Sequence, residues 1–105
     1  MDYQEIIMGI IVHGGNARSN ALSSIKKAKE GDFQEAERLI DDANEELSQA
    51  HRVQTDLIQA ETRGEGSEIT LLMVHAQDHL MNAMTVRDLA QEMIELYQNI
   101  KQEEV

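Results

Sequence analysis

Three ionisable side chains stand close together in an otherwise apolar run, Leu71-Leu72-Met73-Val74-His75-Ala76-Gln77-Asp78-His79-Leu80-Met81. No Pro or Gly follows Ser67, so the run reads as helix. Positions i, i+3 and i+4 of a helix share one face. His75, Asp78 and His79 therefore project together.

Three chemistries compete for this face. Two His four residues apart have the spacing of a zinc hydrolase, but that motif places Glu directly after the first His. Ala76 holds the place here, and no third ligand stands out, so the hydrolase reading is set aside. In the second chemistry one His carries a group. Imidazole is neutral near pH 7 with one free ring nitrogen, and hydrogen bonding at the other nitrogen selects which is free. Phosphorylated there, it becomes a transferable phosphoryl donor, a chemistry that depends mostly on positioning and electrostatics. Gln77 and His79 are candidate donors to the phosphoryl oxygens, and Leu71 and Met81 candidate ground for a docking partner. The third chemistry concerns Asp78. A buried carboxylate is costly unless paired, and several copies on a symmetry axis would repel until a divalent cation relieved them. A solvent-facing Asp78, or one paired with His75 or His79, fits the sequence equally well.

The elements that must hold this face are helices. The chain has 105 residues, enough for one small domain spanning 1–105, with no Pro, Trp or Cys and three aromatic residues, one Phe and two Tyr. Without proline nothing stops long helices, and aromatics are too few for a β-sandwich or barrel core. The absence of Cys excludes a disulfide and suits an intracellular protein. Ile6 to Val12 is apolar but short and follows the acidic Asp2 and Glu5, unlike a membrane span or a signal peptide. A soluble, cytoplasmic protein is expected. The net charge of −11 disfavours nucleic acid and anionic membranes and is compatible with a basic protein partner.

Two breaks divide the chain. Gly31 can close a helix in the left-handed conformation, and Asp32 can cap the next, with Glu35 placed for a capping box. Gly64 and Gly66 allow a second turn, after which Ser67 can cap a third helix. The expected helices are Tyr3 to Glu30, Phe33 to Thr62 and Glu68 to Gln102, an antiparallel three-helix bundle. The first has one apolar stripe through Ile7, Ile10, Ile11, Ala17, Ala21, Leu22, Ile25 and Ala28. It is interrupted by Gly14-Gly15, which costs about 1 kcal/mol per glycine relative to alanine. Either the pair serves close packing or a kink, or it leaves room for a partner or an active histidine. His13 beside it reads as a surface or packing residue. The second helix also has one stripe, from Phe33 through Ile40 and Leu47 to Leu57 and Ala60.

The third helix has two. One runs Ile69, Leu72, Met73, Ala76, Leu80, Ala83, Val86, Ala90, Ile94, Tyr97; the other runs Leu71, Val74, Asp78, Met81, Thr85, Leu89, Met93, Leu96, Ile100. A helix with two stripes is covered from two sides. One is used within the bundle, so the spare stripe, with Asp78 in it, calls for further copies about a symmetry axis.

At these residues the chain resembles a known family. Val74-His75-Ala76-Gln77-Asp78-His79-Leu80-Met81 is similar to the signature of the lactose/cellobiose-type enzyme IIA proteins of the sugar phosphotransferase system. Gly31-Asp32-Phe33 with Ala36, then Ala50-His51, Gln54-Thr55 and Leu57-Ile58, and Gly9, Gly15, Ala17 and Arg18 match it elsewhere. The resemblance implies a cytoplasmic homotrimer forming a nine-helix bundle. It implies a phosphoryl carrier, taking the group from the phosphocarrier protein HPr onto Nε2 of His75 and passing it to a Cys of enzyme IIB. The membrane enzyme IIC moves the sugar, a β-linked disaccharide of the cellobiose, lactose or chitobiose class, so this chain touches neither sugar nor membrane. Asp78 is implied to hold one divalent ion per trimer, commonly magnesium, and Gln77 and His79 to contact the phosphoryl group or order the site. The rival reading is a structural or regulatory bundle that has lost its relay partners.

Overall fold

Gly31 ends the first helix as its sequence position requires. It adopts φ +87°, and the N–H groups of Gly31 and Asp32 donate to Ala28 O at 3.0 Å and Lys27 O at 2.9 Å. These are the two bonds of a Schellman cap, which satisfies carbonyls left over at a helix end. Gly64, at φ +78°, repeats the arrangement: Gly64 and Glu65 donate to Glu61 O and Ala60 O. The computed structural model describes residues 3–66 and 68–103. It contains α1 (Tyr3–Lys29), α2 (Phe33–Thr62) and α3 (Leu71–Glu103), folded into an antiparallel bundle of 59 × 21 × 19 Å.

Each turn differs from the sequence expectation in a detail. Asp32 caps α2 by accepting from the Glu35 N–H at 3.2 Å, but the capping box is only half made. The Asp32 N–H is already used by Lys27 O. The Glu35 carboxylate turns instead to Arg38, whose Nε and Nη2 donate to it and whose Nη1 donates to Asp42. The hydrogen bond from Arg38 holds the Glu35 carboxyl below the usual carboxylate range. At the other turn, Ser67 lies outside the described residues. The observed cap of α3 is Thr70, whose Oγ1 accepts from the Met73 N–H at 3.1 Å. The helix therefore starts at Leu71 rather than Glu68.

The core is narrow and rich in alanine. Ile7, Ile10 and Ala17 of α1 meet Ala43, Leu47 and Ala50 of α2 and Ala76, Leu80 and Ala83 of α3, and towards the other end Ala21 and Ala28 meet Ala36 and Ile40, and Ala90 and Ile94. Small side chains let the helix axes approach closely, and α1 packs far more extensively on α2 and α3 than those two pack on each other. Leu22, assigned to the α1 stripe from sequence, is 43% exposed, because it lies a turn of about 100° beyond Ala21. Among the described residues no helix is long and apolar enough to cross a membrane.

Leu80 is fully buried at the level of the histidines. Leu80→Ala removes three side-chain carbons from the packed core. It is expected to cost about 3 kcal/mol, read as a lower midpoint in urea with an unchanged slope.

Candidate functional site

α3 carries the site at its N-terminal third. Ala76, Leu80 and Ala83 are buried against α1 and α2, which fixes the rotation of the helix about its axis. Its spare stripe then faces outward. Leu71 (85% exposed), Val74, Met81, Leu89, Met93, Leu96 and Ile100 are all exposed, and so are Asp78 and Thr85 in the same row. One row is largely core, except that Ile69, assigned to it from sequence, precedes the helix and is 74% exposed; the other row is uncovered within the subunit.

His75 is exposed and stacks on the half-buried His79, ring centroids 5.8 Å apart and planes 24° apart. His79 leans on α1, where the glycine pair makes room for it. A Cβ at Gly15 would lie 3.3 Å from His79 Nε2, and one at Gly14 would lie 3.4 Å from its Cδ2 and 3.6 Å from Leu80 Cα. The close-packing reading of the glycines holds: α1 and α3 approach closely there, and the ring that fills the space is that of His79. His13 is a packing residue, its Nδ1 2.5 Å from Glu46 Oε2 across the α1–α2 seam.

Gln77 lies elsewhere. Two residues from His75 on a helix is about 160° around the axis, and its Oε1 accepts from Gln54 Nε2 of α2 at 2.5 Å. Within one chain the structure does not bring it to His75. Gln54 is buried, 9% exposed, and also reaches Met81 Sδ at 3.9 Å. Its place on the α2 stripe, four residues after Ala50 and seven after Leu47, marks a polar group in a core row. That was the available signal for it. On this flank α2 and α3 part to form a groove of about 520 Å³, lined by Leu57, Ile58, Ile69, Met73, Val74, Gln77, Asp78 and Met81.

Asp78 is exposed, and its Oδ2 accepts from Asn82 Nδ2 at 3.4 Å. Among the described residues no group of three or more His, Cys, Asp or Glu is placed to hold a metal. A divalent cation favours six or more oxygen ligands, so one carboxylate fits it only if copies of the chain add theirs.

The site is thus an exposed imidazole, backed by a second one, beside an uncovered apolar face. A family model described as the lactose/cellobiose-specific IIA subunit of the phosphotransferase system matches residues 5–98. The chain belongs to the lactose/cellobiose IIA family. It is 59% identical to the lichenan-specific phosphotransferase enzyme IIA component of Bacillus subtilis over 102 residues, 97% of this chain and 93% of that protein. The crystal structure of the cellobiose-specific enzyme IIA from Bacillus anthracis superposes with a TM-score of 0.93 at 45% identity, covering 97% of this chain and 94% of that one. The IIA(chitobiose)–HPr complex of Escherichia coli, solved in solution, contains a chain matching at TM-score 0.83 and 40% identity, with 96% and 98% coverage. As an enzyme IIA, this chain is the phosphoryl-carrier component of a sugar phosphotransferase system.

Proposed function

We propose that this IIA chain accepts its phosphoryl group on Nε2 of His75 from phospho-HPr, and gives it to a Cys of its enzyme IIB, in the cytoplasm, during uptake of a β-linked disaccharide. The observation that carries this is the exposure of His75 beside an apolar surface on a rigid helix. The relatives named for lichenan, cellobiose and chitobiose support the sugar class, and the HPr complex of the chitobiose IIA supports the donor. In the step itself a neutral His75 attacks phosphorus with its Nε2 lone pair. The bond from phosphorus to the donor atom of phospho-HPr breaks, and its electron pair stays with that atom. The bond to Nε2 breaks in the same way when the Cys thiolate takes the group. No redox change occurs, and a protein has little to add beyond alignment and donors for the oxygens. His79 is suited to donate to those oxygens.

The assembly proposed is a homotrimer of nine helices with the spare α3 stripe at the axis. In a threefold ring one flank of α3 faces the opposite flank of the next α3. The His75 flank would then meet the groove flank, bringing Gln77 of the partner subunit beside His75. Asp78, near the middle of the stripe, would meet its copies at the axis, where one magnesium ion would neutralise the carboxylates without entering the transfer.

Incubation with phosphoenolpyruvate, enzyme I and HPr is expected to add one phosphoryl group per chain by intact mass, labile to acid as a phosphohistidine is. An unmodified chain under conditions that phosphorylate HPr would reject the carrier role at His75.

A further inference from the structure

We propose that Gly15 is a positioning residue of the phosphoryl site: its bare backbone seats His79, and through the ring stack it sets the orientation of His75. The inference rests on the reading of His75 as acceptor. Gly14 and Gly15 both lie within α1 and neither has a positive φ, unlike Gly31 and Gly64. The backbone there is ordinary helix that any residue adopts. Two glycines in a row therefore weaken α1 without a conformational reason, and the reason left is space.

The two positions differ in what they leave space for. At Gly14 an added Cβ would meet His79 Cδ2 at 3.4 Å and the Leu80 backbone at 3.6 and 3.7 Å, ordinary contact distances. At Gly15 it would meet one atom, His79 Nε2, at 3.3 Å, tighter than a relaxed carbon contact. Gly14 serves the approach of α1 to the α3 backbone. Gly15 serves the ring. A methyl group there pushes His79 by a few tenths of an ångström and covers the edge of its Nε2. His79 cannot yield toward Leu80, which is fully buried. It yields outward, toward the ring it stacks on at 5.8 Å. Phosphoryl transfer depends steeply on alignment of nucleophile and donors, so a shift of this size is felt at His75.

The test uses Gly15→Ala, His79→Ala and the double variant, with three readouts: the initial rate of transfer from phospho-HPr, the ring resonances of His75 by NMR, and thermal unfolding. Gly15→Ala is expected to unfold no earlier than wild type, since alanine favours the helix, yet to accept the phosphoryl group about tenfold more slowly with shifted His75 resonances. In the His79→Ala background the same substitution is expected to leave the His75 resonances where they are and to slow transfer no further. Wild-type rate and resonances in Gly15→Ala would overturn the proposal. So would a His75 shift of equal size with and without the His79 ring, because glycine would then act through helix packing alone. The resonances report on the steric link even in a chain that takes up no phosphoryl group, whereas a wild-type chain that takes up none refutes the acceptor reading itself.

Discussion

His75→Ala is expected to abolish phosphoryl acceptance, a loss on the order of 10⁴-fold or more in initial rate, because the substitution removes the only atom proposed to form the bond to phosphorus. The size of the effect is interpretable because the residue is exposed. A surface side chain that contributes no core packing changes stability by about 0.5 kcal/mol or less when replaced, so the variant is expected to unfold with wild type. It keeps the apolar stripe and the His79 seat intact. Phospho-HPr should accumulate in its presence, visible as HPr that stays modified while the IIA chain keeps its unmodified mass.

The comparison with His79→Ala gives this result its meaning. His79 is half-buried against α1, and its Nε2 faces Gly15, so it is poorly placed to be the ring that a visiting protein reaches. Its loss should slow the transfer and leave it measurable. If the phosphoryl group appeared on His75→Ala at an undiminished rate, the acceptor would have to be another ring, and His79 would be the next to map. A structural bundle without relay partners predicts a different pattern: wild type and both variants alike would stay unlabelled.

Much of this architecture can be read from the letters, and the exceptions have physical causes. The turn at Gly31-Asp32 is legible because only glycine takes the left-handed conformation cheaply, and Asp32 follows as a cap. The start of α3 is less so, because Ser67 and Thr70 both carry a capping hydroxyl and stand three residues apart in the sequence. Which of them serves depends on where the chain leaves Gly64, a matter of packing. The two faces of α3 follow from its apolar rows alone, since period and burial are tied on a helix. Gln77 marks the opposite case. In sequence it lies between His75 and His79, but residues two apart on a helix do not face each other, and its amide is taken up by Gln54 on another helix. Gly15 is visible in sequence as a gap that packing, a kink, a partner or an active histidine could explain, because a missing side chain says nothing about which ring fills the space.

Asp78→Leu is expected to free the assembly from its need for a divalent cation while leaving it trimeric. Asp78 stands in the uncovered row of α3 between Val74 and Met81, both exposed in the subunit. If that row lies on the threefold axis, three carboxylates meet there. At about 4 Å and an effective dielectric of about 20, each pair repels by about 4 kcal/mol. A bound cation offsets the repulsion, and its removal should therefore loosen the wild-type trimer, seen as a lower melting temperature and a dependence of sedimentation on chelator. Leucine removes the repulsion at its source and adds apolar surface to a contact that is otherwise apolar. Replacing buried charges by packed hydrophobic side chains stabilises by about 1–4 kcal/mol in comparable cases, so the variant should melt above wild type, and chelator should leave it unchanged. His75 lies on the flank of the helix rather than on its axial row, so phosphoryl acceptance should persist. Sedimentation of Asp78→Leu as a monomer would mean that the carboxylate itself, with its ion, holds the copies together, and the apolar row would lose its role as the interface.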